Sequence, residues 1–317
     1  MTKYKSSTGS GAPRKSFGAR LAQDFVLNKF LYLMIAPVIV LYIIFSYIPM
    51  FGVIIAFKDY RPAKGIFDSA WAGFKHFQSF FNGYYFGRTI RNTLMISFYS
   101  LIFAFPMPIA LALLLNEVRS VRYKRIVQTF TYFPHFVSQV VICGIILQFC
   151  LSDGLFNYVR EQFGLPAESL LQNPAYFRTI YVVSNIWQEV GWGSVIYLAA
   201  ITGIDPQLYE AASLDGANRW RKVIHVTIPG IRNTVVILLI MQVGKMMSVG
   251  SEKILMLYNP AIYETADVIS TYVYRRGLIN MDWSFSTAVD LFNSVVNFLL
   301  VILANWVSRR VSETSLF

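Results

Sequence analysis

Seven side chains able to hold a polar solute lie where the chain is otherwise apolar: Gln188, Glu189 and Trp192 in one run, Lys245 in the next, and Asp290, Asn293 and Asn297 in the last. Charged and amide groups are costly in hydrocarbon, so by default they face a protein interior or a water-filled path. Asp290, Asn293 and Asn297 follow an i, i+3, i+7 rule and share one helix face. Carboxylates and amides pair hydroxyl groups, and an indole covers an apolar ring face, so the chemistry on offer is reversible binding. A second reading has the same groups satisfy one another between helices, Lys245 with Glu189 or with Asp290. His76, His135 and His225 are scattered without metal-ligand spacing. Cys143 and Cys150 lie in one apolar run, about 10 Å apart along a helix axis, too far to bridge, and read as packing residues. No phosphate-binding glycine loop occurs, so nucleotide chemistry falls to another chain.

A different kind of site is the stretch from Asp205 to Ile231, polar and basic between two long apolar runs. Asp205 is placed to cap a helix that opens at Pro206, because its carboxylate accepts from orphan N–H groups and proline has none to lose there. Asp215-Gly216 marks a break with positive φ. Trp220, Val223, Ile224, Thr227 and Ile228 then recur at helical spacing on a second short helix, which Pro229 is expected to stop. Two short helices joined at a glycine and anchored at both ends make a knob for a soluble partner to grip.

The elements that must position these residues are membrane spans. With 55% hydrophobic and 14% charged residues and a mean hydropathy of +0.48, the chain is too apolar for a soluble domain of 317 residues and reads as an all-α, polytopic integral membrane protein. Six transmembrane helices are expected at about 30–57, 92–116, 126–152, 179–204, 234–252 and 286–308, with bends at Pro37 or Pro49, at Pro106 and Pro108, and at Pro134. They make one transmembrane domain over 30–310, in which 205–233 is the inserted loop. An interfacial helix is expected within Lys58 to Arg91, where Phe74, Phe77 and Phe81 share a face. The basic arm 1–29 and the tail 311–317 flank the domain. The net charge of +11 does not indicate nucleic acid, because Lys and Arg fall mostly between apolar runs. With both termini inside, inner segments hold 16 Lys and Arg against 11 on the outer ones, which places both termini and Glu210 in the cytoplasm.

Glu210-Ala211-Ala212, then Gly216 four residues on, then Ile228-Pro229, resemble the EAA loop of binding-protein-dependent ABC importers. The resemblance implies the type I ABC importer permease fold, with Glu210, Ala211, Ala212, Asp215, Gly216, Ala217, Ile228 and Pro229 forming a coupling element that docks into a cytoplasmic ATPase. Gly73-Phe74-Lys75-His76-Phe77, Arg91-Asn92-Thr93-Leu94, Trp187 with Gly191-Trp192, and Tyr197-Leu198-Ala199-Ala200 resemble carbohydrate permeases of the maltose type. Tyr47-Ile48-Pro49-Met50, Ala56-Phe57-Lys58-Asp59-Tyr60, Leu115-Asn116-Glu117-Val118 and Gly203-Ile204-Asp205-Pro206 are similar to the oligosaccharide branch that includes permeases for alginate or other uronate chains.

That likeness implies a bacterial inner (plasma) membrane and a heterodimer with a paralogous permease subunit. It also implies two ATPase subunits that use ATP and Mg, no cofactor bound by this chain, and an extracytoplasmic solute-binding protein that delivers an oligosaccharide substrate. The chain is then a transport subunit and not an enzyme, and Gln188, Glu189, Trp192, Lys245, Asp290, Asn293 and Asn297 are its candidate substrate path. The alternatives are an ABC permease for peptides or amino acids, which shares the loop but not the sugar-branch stretches, and an ion-coupled secondary transporter relaying protons through Glu189, Lys245 and Asp290.

Overall fold

The computed structural model describes Gly18 and residues 24–312. Most of the expected basic arm and of the expected tail lies outside the described residues. The chain divides into two compact units, Met1–Ile54 and Ile55–Phe317. In the first, helix α1 (Lys29–Tyr42) carries Pro37 and runs on through a π turn, Ile43–Tyr47, into Ile48–Met50.

The second unit opens on a two-stranded antiparallel hairpin, β1 (Lys58–Arg61) and β2 (Ser69–Trp71), with Lys58 opposite Trp71. Helix α2 (Lys75–Phe81) follows. Phe57 sits among Trp71, Phe74 and Phe77, with ring centroids 5.9, 5.6 and 5.4 Å away. The interfacial helix expected in this region is thus only seven residues long, and its phenylalanine face is spent partly on the hairpin. The lowered carboxyl of Asp59 has its main cause in Lys75 Nζ at 2.9 Å.

Helices α3 (Phe86–Tyr99) and α4 (Pro106–Glu117) form one rod through a π turn at Ser100–Ala104. The same device precedes Pro49 and Pro229: in all three cases a π turn ends two residues before the proline. A helical proline lacks its N–H and pushes its ring at the carbonyl four residues back. A π turn takes its hydrogen bonds one residue further back, so the displaced carbonyl is relieved and the helix continues. The stop expected at Pro229 thus falls one residue later, at Gly230. The rod Arg219–Gly230 bends by 60° only where α9 (Arg232–Val243) begins.

Pro134 behaves differently. Helix α5 (Val121–Tyr132) ends in a 3-10 turn, Phe133–Phe136, Val137 is extended, and Ser138 caps α6 (Gln139–Phe149). The two rods meet at 99°, so the apolar run at 126–152 is sharply bent beside Pro134. Helix α7 (Pro174–Thr202) is capped by Asn173 and is 29 residues long. Among the described residues three continuous rods are long and apolar enough to cross a membrane, or five if each bent pair is one span. Helix α7 has the length for a sixth but is more polar, with Arg178, Asn185, Gln188 and Glu189 along it. Helix α12 (Trp283–Ser312) is the last rod.

Helix α7 is the axis of the unit. A Cβ on Gly191 would overlap the carbonyl of Thr131 and come within 2.8 Å of the backbone nitrogen of Tyr132, and one on Gly193 would meet the Pro108 ring at 3.0 Å. These glycines let α5 and α4 lie close against α7. Phe177, Tyr181 and Val182 of α7 enter a core with Ile96, Ile142, Ile254 and Leu257. Both cysteines are buried and free.

Asn92 and Thr93 pin this core. Asn92 donates to the carbonyls of Glu264 and Asp267 and accepts from Arg178, at 2.9, 3.0 and 2.8 Å. Thr93 Oγ1 accepts from the N–H of Ile269 at 3.0 Å, where α11 (Ile269–Tyr274) starts. Asp267, fully buried, is paired by Arg88 at 2.9 Å and Arg275 at 2.8 Å, as a buried carboxylate requires.

A second tie closes the loop ahead of α7. Glu168 accepts from Arg160 at 2.6 Å, Tyr176 at 2.9 Å and Asn173 at 3.3 Å, and these bonds, Arg160 first, hold its carboxyl below the usual range. Its contribution is present in full above the unfolded carboxylate pKa and is lost as pH falls through the lowered folded value. Hydrogen-exchange protection of 155–173 is expected to fall on acidification through that window. Glu168→Gln should show the reduced protection already at neutral pH and little further change, and a steep acid dependence retained in that variant would count against the assignment.

Candidate functional site

The knob is built as its sequence dictates. Helix α8 (Pro206–Leu214) starts with Asp205 accepting from the N–H of Gln207 at 2.9 Å. It ends where Gly216 takes φ +74 and the N–H of Ala217 reaches back to the carbonyl of Ala212 at 2.9 Å, a glycine-terminated cap. Asn218 then caps Arg219–Lys222 by accepting from Arg221 N–H at 2.9 Å. The two short helices are tied by Tyr209 Oη to Thr227 Oγ1 at 3.0 Å and by Lys222 Nζ to Ser213 Oγ at 2.7 Å. Glu210, Ala211, Asp215, Ile228 and Pro229 are exposed, as are Leu208, Leu214 and Trp220. A rigid knob that shows a carboxylate among exposed apolar side chains has the makeup of a docking surface.

Farther along the bundle, Asn185, Glu189 and Trp192 of α7, Gln242 of α9, Lys245 and Ser100 line a cavity of about 300 Å³. Glu189 Oε2 lies 2.9 Å from His135 Nδ1, and the imidazole stacks on Trp192 with centroids 4.9 Å apart and planes 5° from parallel. Phe136 meets Trp192 edge-on at 5.5 Å. Trp192 remains 46% exposed, leaving indole surface for a ring to lie on. Lys245 is exposed in the turn just beyond α9 and forms no ion pair among the described residues.

Residues 80–313 match the family of binding-protein-dependent transport system inner membrane components. The chain belongs to this family. It is a membrane-embedded permease subunit of an ABC importer. The permease is 43% identical over 291 residues to Protein LplB of Bacillus subtilis (strain 168), covering 92% of both chains. It is 42% identical over 305 residues to the polygalacturonan/rhamnogalacturonan transport system permease protein YteP of the same organism, covering 96% of this chain and 95% of the relative. Among solved structures it resembles a chain of a bacterial ABC transporter that imports the acidic polysaccharide alginate, with 45% identity, a TM-score of 0.85, and coverage of 92% of this chain and 99% of that one.

The geometry sorts the seven candidate path residues of the permease. Glu189, Trp192 and Lys245 share the cavity, and Glu189 pairs with His135 in place of Lys245 or Asp290. Gln188 points the other way: it is buried, accepts from Lys253 at 3.3 Å and donates to Gln139 at 3.1 Å. Asn297 accepts from the N–H of Met247 at 3.0 Å and donates to Ser248 at 2.8 Å, and Asn293 reaches Ser248 at 3.5 Å. These two amides therefore lie on a seam that fixes the turn after α9, while Asp290 opens into a different cavity. The face expected to line the path as one set is divided, because the turn at 244–250 packs against its lower part.

Sequence reading missed His135 and the buried Lys253. The signal for His135 was its place beside Pro134, where an apolar run must break; its partners lie 54 and 57 residues on. Lys253 falls at the edge of an apolar run and gave no local signal.

Proposed function

We propose that the permease passes an acidic oligosaccharide through the membrane along the Trp192 and Lys245 cavity. The observation that carries this is Lys245, an exposed cation without an ion-pair partner among the described residues, which shares with an exposed indole a cavity where a carboxylate, Glu189, is already held by His135. A uronate unit offers a carboxylate for Lys245, hydroxyls for Gln242 and Asn185, and a ring face for Trp192. Relatives named for polygalacturonan and rhamnogalacturonan transport and for alginate import support the same chemistry, and one solved relative carries an alginate pentasaccharide-bound periplasmic protein.

On this reading the chain works with a paralogous permease, an extracytoplasmic binding protein that lands on the outer segments around Lys58 to Arg91 and Asn259 to Asp282, and two ATPases that bind ATP and Mg. The knob at Glu210 faces the cytoplasm with both termini. The chain's own residues bind and release; they make and break no covalent bond.

The test is uptake of labelled uronate oligosaccharides by the whole importer in liposomes, with binding protein outside and ATP inside. Lys245→Met is expected to lower uptake about tenfold, the equivalent of one charge-assisted hydrogen bond of roughly 1.5 kcal/mol, with the complex intact. Wild-type importer whose ATPase answers to a binding protein loaded with peptide, and to none loaded with uronate oligosaccharides, would sink the reading.

A further inference from the structure

A second cavity, of about 430 Å³, opens where α10 (Ser251–Leu257), α11 and the start of α12 meet. It is lined by Asp290, Ser251, Ser270, Ser286, Thr287 and Trp283. Three of its hydroxyls give their protons away to backbone: Ser270 to the carbonyl of Val249 at 3.2 Å, Ser286 to that of Val273 at 3.2 Å, and Thr287 to that of Trp283 at 2.8 Å. Each therefore presents lone pairs to the cavity. Asp290 takes no hydrogen bond and joins no ion pair among the described residues, and an ionised carboxylate only accepts. The lining thus sets these acceptors beside the hydroxyls of Ser251 and Tyr274, which keep protons to give, and suits a ligand that both donates and accepts.

The wall is also built closely. A π turn at Arg275–Ile279 brings Gly277 against α12, where an added Cβ would stand 2.7 Å from Ser286 Oγ. The two cavities are joined by the turn that Asn293 and Asn297 pin. Lys245 opens into one and Ser251 into the other, and six residues of chain span at most about 20 Å. The two cavities are therefore close enough for units of one oligosaccharide to reach both.

We propose that this second cavity is a subsite for an uncharged sugar unit, held through its hydroxyls by Asp290 and the serine and threonine oxygens, with Trp283 against its ring. A uronate is the wrong occupant, because its carboxylate would meet Asp290 and no cation lines the cavity. The permease then distinguishes units along one chain: acidic at Lys245, neutral at Asp290. This rests on the reading that the permease carries an acidic oligosaccharide.

The experiment uses the whole importer in liposomes, with two labelled substrates of equal length, one all-uronate and one in which uronate and neutral units alternate. Asp290→Asn keeps the shape and removes the charged acceptor. It is expected to lower maximal uptake of the mixed substrate about tenfold while all-uronate uptake does not fall, because the charge that repels a uronate there is gone, with the complex intact. Equal losses on both substrates would overturn the subsite. So would a complex that falls apart, which assigns Asp290 to a cation of the partner permease, or wild-type uptake that collapses with an ion gradient, which makes it an ion site. Wild type that takes up neither substrate overturns the earlier reading instead, whereas wild-type uptake of both with Asp290→Asn indifferent overturns only this one.

Discussion

Glu210→Lys is expected to abolish ATP-driven uptake while leaving the permease inserted and folded. Glu210 is exposed on α8, whose two ends are fixed by Asp205 and Gly216 and whose flank is tied to the next helix through Tyr209 and Thr227. Among the described residues nothing bonds to the carboxylate, so the fold is expected to tolerate its loss. On the proposed docking of an ATPase at this helix, a charge-assisted contact would be removed and a like charge set against the group that pairs Glu210. Breaking one side of such a pair costs about 2–5 kcal/mol at an interface, and at 1.4 kcal/mol per decade that is roughly 30-fold or more in association. Glu210→Gln, which keeps an acceptor, should fall between. Co-purification of the ATPases and ATPase activity stimulated by loaded binding protein are the readouts. Wild-type values in both for the lysine variant would mean that the knob docks elsewhere.

Gly191→Val is expected to prevent the bundle from closing. The atoms that a side chain at 191 would strike belong to the backbone of Thr131 and Tyr132, which cannot swing aside as a rotamer can. Helices α5 and α7 must separate, and the His135 ring carried just beyond α5 then leaves Glu189 and Trp192. Overpacking costs typically 1–3 kcal/mol where side chains can yield, and more where they cannot. Gly193→Ala supplies the contrast, because its obstacle is the edge of the Pro108 ring at 3.0 and 3.2 Å, and a loss near 1 kcal/mol is expected there. Yield and thermal unfolding of the purified protein in detergent compare the two. If Gly191→Ala and Gly193→Ala prove equally heat-stable, the close approach of α5 to α7 is not as described.

What the sequence made legible follows the range of the forces. The knob could be read because its determinants are local: Asp205 ahead of Pro206, Gly216 at positive φ and Asn218 before Arg219 act within four residues of chain. The apolar rods were legible for the same reason. The cavity was legible only in part. Glu189, Trp192 and Lys245 announced themselves as polar groups in apolar runs, but whether a group faces a path or a seam depends on which turn packs against it. Asn293 and Asn297 went to the turn at 244–250, Gln188 to Lys253, and no periodicity distinguishes these from Glu189. Prolines marked where a helix changes but not how: ahead of Pro49, Pro106 and Pro229 the chain passes through a π turn, whereas at Pro134 it breaks, because the remedy is a change of hydrogen-bond spacing upstream that no residue type marks.

That remedy also sets helical phase. Each residue of an α-helix turns the chain by about 100°, and a π turn absorbs one residue beyond the regular count. The surplus at Ser100–Ala104 therefore decides which side of α4 carries Ala112, the residue buried beside Tyr197 and Ile201 of α7. Deleting a residue there to restore a regular helix would rotate the rest of α4 by about a quarter turn or slightly more and present a different stripe to α7, while replacing Pro106 alone would leave the bulge without its cause. Proline and bulge are thus one inherited unit, and homologous permeases should gain or lose the two together.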